Sequence, residues 1–296
     1  PPCGRWRQRD RLPILCGSMR FPEIALQVPR VLLPRPDVAV ETWAVIACDQ
    51  HTSDPAYWRA VDDRVGAAPS TLRLVLPEVY LEAADRPARI AAIRHAMERY
   101  LAQGVLVEQP PGFVLVDRST PHVASRRGLI AALDLEHYSW APDAHTLVRT
   151  TEGTVLERIP PRVEIRRGAP LECPHILVLI DDPGRTVIEP LFAGDLEPLY
   201  DAELMLGGGR VRGWRARGDG AASQVGAALA RLVRDQADEP FLYAMGDGNH
   251  SFAAARAVWD QITAAAGGLT PVAEHPARHA LVEVVNLHDE GLIFEP

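Results

Sequence analysis

From Met19 onward the chain alternates short apolar runs with amphipathic segments. This rhythm predicts an α/β or α+β fold, a mixed sheet with flanking helices, rather than a bundle or a sandwich. Residues 86–104 place Ile90, Ile93, Met97 and Leu101 on one helical face and stop at Gly104. The run "WAVIAC" (43–48) reads as a strand that empties into a polar loop holding Asp49, Gln50 and His51. Asp54 then caps a helix with Pro55 in its first turn. Residues 70–81 read as extended, and residues 112–118 and 127–138 as two strands of a long-looped hairpin.

Further along, residues 149–165 mix arginines, glutamates and a Pro-Pro pair, which reads as a loop near a surface or cleft. Two strand runs around "DDPGR" follow. The glycine-rich stretch 199–223 is expected to be a mobile connection or a long functional loop. Residues 224–238 offer Val225, Leu229, Leu232 and Val233 at helical spacing, before the strand "FLYAM". The last predicted helix carries Phe252, Ala255, Trp259 and Ile262 on one face. No internal repeat or low-complexity tract interrupts the pattern.

The 296 residues are 47% hydrophobic, enough for a substantial core, and the longest strongly apolar run, "HILVLI" (175–180), is far too short to span a membrane. A net charge of −8 argues against a nucleic-acid surface and fits a small anionic or polar ligand better. Cys3, Cys16, Cys48 and Cys173 have neither metal-type spacing nor the density of a disulfide framework, so a cytoplasmic setting is expected. Cys48 invites nucleophilic or redox chemistry, yet a cysteine closing an apolar run reads better as a buried, inert thiol. Residues 1–18 set four arginines against Asp10 without an apolar segment, and are expected to be a disordered tail or an overextended start. The composition leaves the oligomeric state open.

The stretch "AMGDGNHSFAAAR" (244–256) carries the densest candidate chemistry. A strand followed by a tight turn and a helix aims the unpaired N–H groups of the helix start, with their partial positive charge, at one point. Gly246 and Gly248 would let an anion approach the main chain. Asn249 and Ser251 would donate hydrogen bonds to phosphate oxygens, and Asp247 and His250 would add metal ligation or proton transfer. The plain alternative is a turn whose Asn249 caps an ordinary helix. The spacing is neither the dinucleotide fingerprint nor a P-loop.

The blocks "IACDQHTSDPAYW", "APSTLRLVLPEVYL", "TEGTVLERIPPR", "HILVLIDDP", "GDGNHSFAAA" and "HPARHALVEVVNLHD" resemble an uncharacterised prokaryotic family catalogued as domain of unknown function 1015. The resemblance runs from about Met19 to the end and implies a family domain over 19–296. Family members continue past the block that here reads "NLHDEGLIFEP", which implies a version lacking its C-terminal part, with activity impaired or absent. The glycine-acidic-glycine-polar-histidine turn is in addition similar to the signature turn of the ParB and sulfiredoxin-like superfamily, implying such an element around residues 240–265. In that superfamily a glycine-led helix start binds nucleotide phosphates, and some members are free-serine kinases. Gly248 and His250 match the pattern, while Ser251 stands where many relatives carry arginine.

A bound triphosphate would need neutralising charge, for which Arg149, Arg158 and Arg162 are the candidates. Asp49, Glu152 or Asp247 would orient or deprotonate an acceptor hydroxyl. The expected function is therefore a Mg-dependent protein binding ATP or ADP, a kinase of a small hydroxyl-bearing metabolite such as serine. A nucleotide-sensing regulatory module and a metal-dependent phosphatase are the alternatives, with no nucleic acid and no membrane as partner. His95, His275, His279 and His288 form no metal pattern and read as structural.

Overall fold

The computed structural model describes residues 19–141, 143–216, 220–234 and 240–292; the sequence-based expectation for residues 1–18 lies outside them. Strands β1 (Arg20–Phe21), β2 (Leu26–Gln27) and β3 (Leu32–Pro34) lead into helices α1 (Val40–Trp43), α2 (Pro55–Val65) and α3 (Arg86–Ala102). Then come β4 (Leu106–Glu108), β5 (Val114–Ser119), β6 (Arg126–Asp134) and β7 (Val148–Arg149), followed by α4 (Ile159–Arg166), β8 (Leu177–Ile180) and α5 (Glu189–Phe192). The chain continues through β9 (Leu196–Leu204), β10 (Gly209–Ala216), α6 (Gly220–Arg234), β11 (Tyr243–Asp247), α7 (Asn249–Ala266) and β12 (His279–Asn286).

The expected class is correct: a large mixed sheet is flanked by helices. Its main path runs β7-β11-β8-β12-β6-β5-β10-β9, with β2 paired to both β6 and β1, while β3 and β4 form a separate ribbon. The β7/β11 and β8/β12 pairs are parallel and the remaining pairs antiparallel. Strand β8 is a continuous apolar run, LVLI, whereas β12 alternates, burying Ala280, Val282 and Val284 on one face with Leu281 and Glu283 half-buried on the other. The main core gathers Leu129, Leu133, Val178, Val284, Tyr243, Phe252 and Trp259. Two smaller clusters lie around α3 and around Trp58.

Several local expectations hold for the stated reasons. Asp54 Oδ1 accepts from the Ala56 and Tyr57 amides at 3.0 and 3.1 Å, and Pro55 fills the first turn of α2. α3 buries Ile90, Ile93 and Met97, with Tyr100 rather than Leu101 completing its face, and Gly104 adopts φ +62 beyond its end. β5 and β6 form the expected hairpin, with Val114 opposite Ile130 and Arg118 opposite Arg126.

Other expectations are corrected. Residues 44–48 are not a strand: Trp43 closes α1 against Tyr100, and Val45 and Ile46 fill the Trp58 cluster, so the apolar run joins two small cores instead of a ladder. Residues 70–81 form tight turns because buried Ser70 accepts from the Leu72 amide and donates to the Trp43 carbonyl. The segment 149–165 ends in α4, where the Pro-Pro pair occupies first-turn positions at which a missing N–H is harmless. After "DDPGR" the second apolar run is the short helix α5, since Asp182 accepts from the Thr186 and Val187 amides and turns the chain. The glycine-rich stretch is largely the hairpin β9–β10, in which Gly209 takes φ +82 and the absent Cβ of Gly213 makes room for the Tyr200 ring.

Candidate functional site

The turn from β11 into α7 is built as its glycines imply, but each glycine has its own task. Gly248 is the N-cap of α7 at φ +76 and supplies no capping side chain, so the first amides of an eighteen-residue helix keep no intrahelical acceptor. Asn249 therefore begins the helix rather than capping it. A Cβ on Gly248 would sit 3.0 Å from Ile176 Cα, and one on Gly246 would sit 2.6 Å from Leu177 Cδ2. Both glycines let the turn lie flat against the start of β8.

That packing brings His175, two residues before β8, under the helix start. Its Nε2 lies 3.4 Å from Ser251 Oγ and 3.4 Å from Asp49 Oδ2, while its Nδ1 lies 3.4 Å from Cys48 Sγ. The loop carrying Cys48 and Asp49 is held from behind, because the Glu78 amide donates to the Cys48 carbonyl at 2.8 Å and Trp58 Nε1 donates to the Gln50 carbonyl at 3.1 Å. Glu78 in turn receives Arg162 from α4, and α4 packs on α7. Five separated segments thus converge on one cleft.

Electrostatics single out two groups. Asp247 accepts from the Gly248 amide at 2.6 Å. Although the residue as a whole is exposed, its carboxyl group is partly desolvated, and this, together with the charge of Asp49, raises its pKa; the Gly248 amide and His175 oppose the shift. Asp49 and Asp247, nearly two hundred residues apart in the sequence, are electrostatic neighbours beside the helix start. The Cys48 thiol is pushed up to about 12, first by burial and then by Asp49 and Glu78, with Arg162 acting against them. It is a neutral thiol at physiological pH and a poor nucleophile, as its place in the apolar run implied.

The remaining candidates divide. Glu152 Oε1 accepts from Asn249 Nδ2 at 3.0 Å, and His250 Nε2 accepts from the Val155 amide at 3.3 Å, so the segment after β7 drapes over the helix start. Burial, then the charges of Arg162 and Arg158, lower the His250 pKa, favouring the neutral ring that this hydrogen bond requires. Arg149 lies elsewhere: it bonds the Thr146 and Pro240 carbonyls and stacks over Phe241, at the opposite end of β11 from Asp247. His51 stacks on Tyr57 with ring centroids 3.8 Å apart.

Residues 30–296 match the family described as Protein of unknown function (DUF1015). The chain belongs to this family. No curated protein and no solved structure matches it. The DUF1015 description names no activity, so the chemistry rests on the residues of the cleft. Sequence reasoning missed two of them. His175 stands alone between Pro174 and an apolar strand, and Glu78 sits in "LPEVY"; neither belongs to a spaced motif that a one-dimensional reading recognises. Among the described residues no helix is long and apolar enough to cross a membrane.

Proposed function

We propose that the cleft binds the phosphates of a nucleotide, ATP or ADP, and transfers a phosphoryl group to a small hydroxyl compound. The observation that carries this reading is the meeting of Asp49 and Asp247 beside the uncapped start of α7. Helix-start amides attract phosphate oxygens, and a carboxylate there serves the acceptor hydroxyl. The turn is similar to the glycine-led phosphate turn of the ParB and sulfiredoxin-like superfamily, with Ser251 where those proteins carry arginine. Arg158, near enough to lower the His250 pKa, supplies the positive charge that Ser251 lacks, while Arg162 beside it is paired with Glu78.

Among the described residues no group of three or more His, Cys, Asp or Glu side chains is arranged to hold a metal ion. The donor set still fits magnesium, which uses one or two carboxylates, phosphate oxygens and retained water. Asp247 would hold it, and the ion would neutralise phosphate charge. Calorimetric titration with ATP, ADP and CTP plus magnesium, on the intact chain and on Asp247→Ala, tests the reading. Binding by the intact chain that the variant loses is the expected result; no binding by the intact chain refutes it. A sensor module would bind equally well but would form no ADP when a hydroxyl compound is added.

A further inference from the structure

Beneath the helix start, touching the phosphate site only at Ser251 and Arg162, lies a cavity of about 110 Å³. That is room for roughly eight water-sized groups. Leu76, Leu81, Met97, Ile165 and Leu171 line its inner side, and Cys48, His175 and Ser251 line the end nearest α7. Its two arginines, Arg162 and Arg166, are already paired with Glu78 and Glu172. A charged ligand would therefore meet charges that have partners, and its desolvation would go uncompensated. A neutral molecule of mainly hydrocarbon surface fits.

The cluster at the cavity end is arranged for a proton relay. Nε2 of His175 lies 3.4 Å from both Ser251 Oγ and Asp49 Oδ2, and Nδ1 lies 3.4 Å from Cys48 Sγ. In the Nε2–H tautomer the ring would donate on the side that Ser251 and Asp49 share, and Nδ1 would accept from the Cys48 thiol.

We propose that this cavity receives a neutral, short-chain aliphatic alcohol or diol, and that Cys48 and His175 hold Asp49 beside it to take the hydroxyl proton. Its role as acceptor rests on the phosphoryl-transfer reading above. In the step, the alcohol oxygen forms a bond to the terminal phosphorus of the nucleotide. The bond from that phosphorus to the bridging oxygen breaks, and its electron pair leaves with the shortened nucleotide. The hydroxyl proton goes to Asp49. Cys48 and His175 are positioning residues and exchange no bond with the substrate.

The pocket is tested without nucleotide. Alkylation of Cys48 and Cys173 by iodoacetamide, followed by mass spectrometry on the full chain, reads access to the cavity that both thiols line. Neopentyl glycol is expected to slow both reactions several-fold, lactate to leave them unchanged, and Ala169→Leu, which narrows the cavity, to remove the protection. No protection by neopentyl glycol, or equal protection by lactate, overturns the pocket. Long-range proton–nitrogen NMR reads the relay: the Nε2–H tautomer of His175 is expected in the intact chain and in Cys48→Ser, with a tautomer mixture in Cys48→Val. An Nδ1–H tautomer in the intact chain overturns the relay. In turnover with neopentyl glycol, Cys48→Val should lower kcat with little change in KM, and Cys48→Ser should restore it. Protection by neopentyl glycol in a chain that binds no nucleotide would keep the ligand and overturn its role as acceptor, so the two readings fail separately.

Discussion

Asn249 Nδ2 donates to Oε1 of Glu152 at 3.0 Å, tying the first turn of α7 to the segment that follows β7. Asn249 is only 7% exposed, whereas Glu152 is open to solvent. A hydrogen bond between a buried amide and a solvent-exposed carboxylate contributes about 1 kcal/mol net. Asn249→Ala should therefore lower the urea unfolding free energy by about that much, while Glu152→Gln, which still offers an accepting oxygen, should change it far less. An equal loss from both variants would mean that charge, not the hydrogen bond, makes the link.

Gly248 tests whether the turn is shaped by its backbone. Its φ of +76 is expensive for any residue with a Cβ, and an added Cβ would lie 3.0 Å from Ile176 Cα and 3.3 Å from Ile176 Cγ1. The left-handed conformation alone costs roughly 1–2 kcal/mol, and a contact with backbone cannot be relieved by a rotamer change. Gly248→Ala should destabilise the chain by at least about 1 kcal/mol in denaturant titration. Gly267→Ala, at the same left-handed conformation (φ +78, ψ 19) beyond the end of α7 but with nothing within 4 Å of the added Cβ, should show the conformational cost without the clash.

These two residues also mark how far the sequence carries. The strand–turn–helix around Gly248 was legible because its signals are local: an apolar run, small residues, then a helical apolar face. The Asp54 cap, α3 and the β5–β6 hairpin were legible for the same reason. What escaped was set by tertiary partners. "WAVIAC" has the composition of a strand, but Trp43 and Ile46 belong to different small cores, and among the described residues the run pairs with no strand. Gly213 looked like loop flexibility and is a seat for the Tyr200 ring. His175 meets Cys48 and Asp49 only because the Gly248 turn packs on the residue before β8, a contact invisible to spacing. Asp49 and Arg162, chosen by residue type, and Asp247, chosen from its place in the glycine turn, lie around the same cleft, whereas Arg149 lies at the other end of β11.

Stability should fall on mild acidification. Burial lowers the His279 pKa from 6.5 to about 4; the Asp134 charge opposes this and the Arg20 and Arg278 charges add to it. Between those two values the unfolded chain binds a proton that the folded chain refuses, so stability is lost as pH falls through that window and is level above it. His250 and His275, both lowered chiefly by burial, act in the same sense. The His279 contribution is at most about 3 kcal/mol. Urea midpoints measured from neutral pH down to about 4.5 should decline, and His279→Gln should flatten the decline. A midpoint that does not move over this range would show that His279 is not buried in the neutral form.

The partner of that histidine's neighbourhood gives the largest expected single-site effect. Asp134, 5% exposed at the end of β6, receives Nε of Arg278 at 3.0 Å and Nη2 at 2.6 Å, and it accepts from the Glu136 amide at 3.0 Å. These bonds hold the Asp134 carboxyl below its usual range despite the opposing effect of burial. Arg278→Ala leaves a buried carboxylate without its cation, a change that costs about 3 kcal/mol or more. The Arg20–Glu274 pair has an equally short 2.7 Å contact, but with Glu274 65% exposed its removal should cost well under about 1 kcal/mol. Thermal unfolding of Arg278→Ala and Glu274→Gln side by side should separate the two by several degrees. Similar losses would show that the Asp134 site is hydrated and that its burial does not set the energy of the pair.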